Sequence, residues 1–145
     1  MGEQKVKTLT GEENKEAKKA PVLAIKKKHK KIPKARVCIH STYNNTIVTL
    51  TDVYGATVTW ASAGMIGFKG SKKSTPYAAQ RTMEEMVRRM RDFGVAEVDV
   101  FIKGVGTGRE SAIRSLTGSP IAVKSIRDRT PTPHGGIRAK KPRRV

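Results

Sequence analysis

Gly67, Gly70, Lys72, Lys73 and Ser74 come close to the spacing with which nucleotide hydrolases hold a phosphate. Such a loop needs a glycine, four residues of any type, then Gly-Lys-Ser/Thr. Its backbone N–H groups then wrap the phosphate and its lysine reaches the outer oxygens. Counted from Gly67, Lys72 stands where the second glycine belongs. The segment before it also reads as a meander strand and not as the first strand of a parallel unit. Nucleotide hydrolysis is a poor reading on both counts. The anion chemistry outlives it. Glycines let amides approach an oxygen closely, Lys69, Lys72 and Lys73 add charge, and a helix expected to start at Thr75 adds the positive end of its dipole. Phosphate contact is preferred over a merely solvated loop.

Gly104-Val105-Gly106-Thr107-Gly108-Arg109 mimics a dinucleotide-binding fingerprint: it follows a predicted strand and opens a predicted helix. That fingerprint wants a third glycine where Arg109 stands, so that helix and strand can pack closely, and a longer helix after it. Arg109 at a helix start makes a better fork for an RNA phosphate. The plainer alternative, that these glycines tighten a strand-to-helix turn, is compatible with it.

No catalytic set stands out. His29, His40 and His134 are far apart, and the acids are few and scattered. Cys38 and His40 fall on one face of a strand, but two ligands do not make a metal site. That pair reads as a packed or satisfied strand face. No catalytic residue, metal ligand or cofactor is assigned. The single cysteine excludes an intramolecular disulfide and a cysteine-rich zinc site, and it suits a reducing compartment.

Charge narrows the function further. The chain has 145 residues, 30 Lys and Arg against 12 Asp and Glu, and a net charge of +18. Residues 1–34 carry eleven lysines against four glutamates, net +7. Residues 127–145 carry seven basic residues against Asp128, net +6, which leaves +5 for the stretch between. Two basic arms on a mildly basic domain call for a polyanion. A lipid surface would want an amphipathic helix with Trp, Phe or Leu on one face, and neither arm has one. Pro131, Pro133, Gly135, Gly136 and Pro142 oppose any helix in the second arm. No apolar run approaches the roughly 20 residues that span a bilayer, and the first residues read neither as a secretory signal nor as a transit peptide. Nucleic acid is the better partner. The seven aromatic residues are dispersed, which favours recognition of folded RNA through shape and phosphate with few base contacts.

The elements that must position these groups follow from local pattern. Residues 1–34 read as a disordered basic extension, residues 35–128 as the folded core and residues 129–145 as a basic extended tail. Alternation and β-branched residues predict strands over 37–42, 46–51 and 57–61, joined as an antiparallel meander. Asn44 and Asn45 suggest a tight hairpin, because asparagine tolerates positive φ. Thr75 as N-cap and Pro76 at the first position start a helix whose inward stripe is Ala79, Met83, Met86, Val87 and Met90, ended by Gly94. A strand over 95–103, a short helix over 109–117 with Ile113 and Leu116 inward, and a strand over 121–126 complete the chain. The fold class is α/β: one layered domain with a mixed five-stranded sheet, a three-strand antiparallel meander followed by helix, strand, helix, strand.

Read together, five blocks closely resemble the universal small-subunit ribosomal protein eleven family in its bacterial form. They are residues 39–48 (IHSTYNNTIV), 60–64 (WASAG), 67–80 (GFKGSKKSTPYAAQ), 103–110 (KGVGTGRE) and 130–136 (TPTPHGG), with the basic end KPRRV. The resemblance runs from about residue 26 to the end. It implies an α/β domain docked on the platform of the small ribosomal subunit, in the cytoplasm, near the exit site and the messenger-RNA cleft. It implies small-subunit ribosomal RNA and neighbouring small-subunit proteins as partners, messenger RNA nearby, and neither membrane nor small-molecule substrate. By motif match it carries RNA contact onto Asn44, Asn45, Lys69, Lys72, Lys73, Ser74, Arg109, His134, Arg138, Lys140, Lys141, Arg143 and Arg144. The chain departs from the family pattern at Val105, where proline is usual and a looser turn is expected, at Gly135, where asparagine is often found, and at residues 117–120. Residues 1–25 extend beyond the usual start. Two other functions compete: a nucleotide-dependent enzyme using a glycine loop, and a free nucleoid-type DNA binder.

Overall fold

A computed structural model describes residues 31–141. The expected disorder of the N-terminal extension, for residues 1–30, and the contacts of Arg143 and Arg144 fall outside the described residues. The chain forms β1 (Lys34–Ser41), β2 (Thr46–Asp52), β3 (Thr57–Ser62), a 3-10 turn (Gly70–Ser74), α1 (Pro76–Asp92), β4 (Glu97–Lys103), α2 (Gly108–Thr117) and β5 (Ala122–Asp128). The sheet is mixed, in the order β3-β2-β1-β4-β5. β1 and β3 each pair antiparallel with β2, while β1–β4 and β4–β5 are parallel. The α/β class and the five strands expected from the sequence are both present.

The period-2 pattern explains the layers. Val37 and Ile39 on β1 are buried between Leu50 and Val48 of β2 and Val100 and Ile102 of β4. The alternate residues Arg36, Cys38 and His40 must then face the other way. α1 lays Ala79, Met83, Met86 and Met90 on the apolar face, all fully enclosed. Unbranched methionines fill the irregular gap under a twisted sheet. The Thr75 hydroxyl accepts from the Ala78 N–H at 3.2 Å, which caps the helix start. Gly94, at φ +67°, ends it, with the Val95 N–H reaching back to the Met90 carbonyl at 3.0 Å. Arg89 pins the helix to the edge strand through the Trp60 carbonyl at 2.9 Å. Ile32 is buried and its N–H donates to the Phe93 carbonyl at 3.0 Å, on the N-terminal side of the division placed after residue 34.

Three expectations are corrected. The β1–β2 hairpin uses no positive φ at Asn44 or Asn45, since no described residue other than glycine takes one. Thr42 closes it instead. Its N–H (2.9 Å) and hydroxyl (3.1 Å) both donate to the Asn45 carbonyl, and the hydroxyl oxygen accepts from the Asn45 N–H at 3.1 Å. In α2 it is Ala112 and Leu116 that are buried, and Ile113 is only partly covered. The i, i+4 pair lies along the line facing the core, and Ile113 sits at its rim. Finally, Cys38 and His40 are not on a packed face. Both crossovers run from β3 towards β5, so both helices lie on the same side of the sheet. The opposite face, with His40 exposed and Cys38 half-buried, has no helix over it among the described residues.

A candidate nucleic-acid interface

β1, β4 and β5 run in one direction, and β3 runs with them across two antiparallel steps. Their C-terminal ends, the β1–β2 hairpin, the starts of both helices and the root of the tail therefore share one end of the sheet. In open α/β sheets this is the end where ligands bind.

The glycines after β4 seal that end. The Gly106 N–H donates to the Ser41 carbonyl at 3.0 Å. A Cβ on Gly106 would stand 2.5 Å from the Thr42 carbonyl oxygen, and one on Gly108 would stand 2.6 Å from Thr46 Oγ1 and 2.7 Å from Ala79 Cβ. The spacing that mimics a dinucleotide fingerprint thus serves to press the β4–α2 turn onto the hairpin and onto α1. Val105 is exposed between Gly104 and Gly106, the two glycines that pack on the hairpin. The Thr107 hydroxyl donates to the Ser74 carbonyl at 2.8 Å, which ties this turn to the lysine loop.

The lysine loop is shaped by its own backbone. Gly67 and Gly70 take φ +107° and +57°, and the Phe68 N–H donates to the Ala63 carbonyl at 3.1 Å. The 3-10 turn leaves Lys69 and Lys72 exposed, and the stem of the half-buried Lys73 passes Gly64. The Ser74 hydroxyl donates to the Ser71 carbonyl at 2.9 Å and so helps close the turn. Asn44 is exposed at the hairpin tip. Asn45 is half-buried, and its side-chain carbonyl oxygen is enclosed without a hydrogen-bond partner among the described residues.

Arg109 is engaged within the protein. One terminal nitrogen donates to the Gly104 carbonyl at 2.8 Å, and the other pairs with Asp128. The second Asp128 oxygen accepts from the Thr130 N–H (2.8 Å) and hydroxyl (2.6 Å), and the Gly104 N–H donates to Thr130 Oγ1 at 3.2 Å. This clamp sets the direction in which the chain leaves β5. Beyond it His134, Arg138, Lys140 and Lys141 are all exposed, with Gly135 at φ +63°.

The clamp has a pH signature. The bonds from Thr130, and after them the Arg109 guanidinium, hold the Asp128 carboxyl down at about 2, against an ordinary 3.8. A depressed carboxylate contributes stability that is complete above the unfolded value and is lost as pH falls through the folded one. The clamp is therefore intact above about pH 4 and released towards pH 2. An NMR titration of the Asp128 carboxyl will show a midpoint near 2, shifted upward in Thr130→Ala.

Topology adds residues that the sequence reading passed over. Tyr43, 70% exposed, stands at the hairpin tip beside Asn44. Tyr77, in the first turn of α1, meets Phe68 edge-on with ring centroids 5.9 Å apart and carries the Arg81 guanidinium 5.5 Å from its ring centre. An aromatic residue placed in a turn was the available signal for Tyr43. Asp128 and Thr130 bond to each other locally, but no local signal joined them to Arg109 and Gly104, which lie before them in α2 and the β4–α2 turn. Among the described residues no group of three or more His, Cys, Asp or Glu could hold a metal ion, and no helix is long and apolar enough to cross a membrane.

One polar, cationic end, assembled from backbone turns and continued by a basic arm, defines a polyanion-binding protein. The comparisons make it specific. The family described as Ribosomal protein S11 matches residues 35–144, and the chain belongs to that family. Relatives from Borreliella burgdorferi, Borreliella afzelii and Borrelia garinii, each named small ribosomal subunit protein uS11, are 56% identical to it over 120 residues, covering 83% of this chain and 92% of theirs. The family is one of structural ribosomal proteins, and the chain is accordingly an RNA-binding ribosomal protein of the small subunit.

Proposed function

We propose that this protein binds small-subunit ribosomal RNA in the subunit's platform, where it supports assembly and translation near the exit site and the messenger-RNA cleft. The observation that carries the reading is the convergence of the lysine loop, the Asn44–Asn45 hairpin, the α2 start and the tail root at one end of the sheet. Lysines and arginines gathered there displace condensed counterions from closely packed phosphates. At the start of α1, Pro76 has no N–H and the Ala78 N–H is taken by Thr75, so attraction rests on Lys69, Lys72 and Lys73 more than on helix amides. Arg109 acts through a divided guanidinium. Two donors hold the tail root, and the rest of its fork is offered to a phosphate. Ser74 shapes the loop that presents the lysines. His134, Arg138, Lys140, Lys141, Arg143 and Arg144 follow the RNA as an extended arm. Neighbouring small-subunit proteins complete the surroundings, with messenger RNA close by. The role is structural, with no catalysis, cofactor or small-molecule substrate. The lysine loop follows an edge strand of the meander and folds as a 3-10 turn, unlike a nucleotide cradle.

Sucrose-gradient sedimentation of a cell lysate tests this directly. The protein will travel with small subunits and their RNA. Recovery at the top of the gradient, or with chromosomal DNA, would remove the proposal.

A further inference from the structure

The sheet face opposite the helices carries a second cationic surface. The cross-strand register places Trp60 (β3), Thr49 (β2), Cys38 (β1), Phe101 (β4) and Arg127 (β5) in one row across all five strands. Around the middle of this row lies an open groove of about 420 Å³. Cys38, Thr49 and Phe101 line it, and Arg36, Lys103, Arg127 and Arg129 supply charge. The Arg129 and Arg36 guanidinium groups lie 4.8 Å and 5.8 Å from the centre of the Phe101 ring. Among the described residues, no acid lines the groove. Asp99, the acid nearest in register on this face, already accepts from the Ser125 hydroxyl at 2.5 Å. Trp60 stands 52% exposed further along the row.

We infer that this face binds a single-stranded or looped segment of RNA laid across the strands, with phosphates on the arginines and Lys103 and bases against Phe101 and Trp60. Charge complementarity selects the occupant. Four cations with no lining acid among the described residues call for an anion, and both of the chain's own arms carry net positive charge, +7 and +6. The floor selects among anions. An acidic peptide needs only the charges, whereas an aromatic ring beside guanidinium planes is a surface on which unstacked bases rest. Because Arg129 is also the first residue after the Asp128 clamp, a strand on this face would continue onto the tail. The inference rests on the RNA-binding reading above and adds a face to it.

Two sets of variants in filter binding to a platform fragment of small-subunit RNA separate the two ideas. Arg36→Gln with Arg127→Gln removes two phosphate contacts on the sheet face, and Lys69→Gln with Lys72→Gln and Lys73→Gln removes the loop's. The face variant will flatten the log–log salt dependence by about 1.4–1.8, at about 0.7–0.9 per phosphate. Phe101→Leu will weaken binding and leave that slope unchanged. If the face variants bind as the parent does while the loop variant is weakened, the inference fails and the RNA-binding reading stands. If neither set matters, both fail. Alkylation of Cys38, the chain's single cysteine, reads the same face without substitution: binding of the RNA fragment will slow it relative to free protein. Unchanged alkylation in intact small subunits, or slowing there but none with RNA alone, would mean that the face is open or that a protein covers it. Either result overturns the inference.

Discussion

Gly104→Ala will lower the stability of this protein by roughly 3 kcal/mol or more, from positive-φ strain plus a backbone collision. The residue sits at φ +99° at the end of β4, and a Cβ there would be driven into the carbonyl of Ser41 at the end of β1. Neither side can give way cheaply. Ser41 is fully buried and its carbonyl accepts the Gly106 N–H, while the Gly104 N–H and carbonyl hold Thr130 and Arg109. Gly67→Ala is the matched control. It shares a positive φ, +107°, but has open space where the Cβ would go, so it should cost only the left-handed strain of about 1–2 kcal/mol. Urea unfolding of the two variants measures the difference. Gly104→Ala should shift the midpoint well below that of Gly67→Ala at unchanged slope. Equal midpoints would show that the β4–α2 turn is not pressed on the hairpin as described.

Removing residues 134–145 will change binding far more than folding. The deletion takes away Arg138, Lys140, Lys141, Arg143 and Arg144. If each meets a phosphate, the log–log salt dependence of RNA binding flattens by about 3.5–4.5. The thermal midpoint should hold, because residues 134–141 are exposed and the clamp at Asp128 and Thr130 lies before the cut. A truncated protein with an unchanged salt dependence would take the tail out of the interface. Arg109→Ala, by contrast, should disturb both readouts, since it releases the clamp that aims the tail.

Legibility differed by element. The strands, the Thr75–Pro76 helix start, the methionine stripe and the Gly94 stop were readable because each depends on residues a few positions apart. The hairpin was placed correctly for the wrong reason: Asn44 and Asn45 suggested a positive φ that neither adopts, while Thr42 supplied the closing bonds. The basic residues were identifiable one by one as cations. That Lys69–Ser74 and the β4–α2 turn touch through Thr107, or that Arg109 divides itself between Gly104 and Asp128, involves partners up to 33 positions away. No local pattern records such pairs. The aromatic residues show the same limit. Counted along the chain they are scattered, yet the register puts Trp60 and Phe101 in one row and the hairpin lifts Tyr43 into solvent.

What the chain determines by itself is its α/β composition, the faces of its strands and helices, its cationic arms and its family, all carried by periodicity, capping and short motifs. The tertiary structure decided the use of these parts. It turned the Gly104–Gly108 run from an apparent cofactor motif into a close-packed seam, brought separated cations to one end of the sheet, and left the opposite face without a helix among the described residues. The reason is physical. Local conformation depends on neighbouring residues, whereas the meeting of loops depends on the parallel pairing of β1, β4 and β5 and on the hand of two crossovers. Those are properties of the folded chain alone.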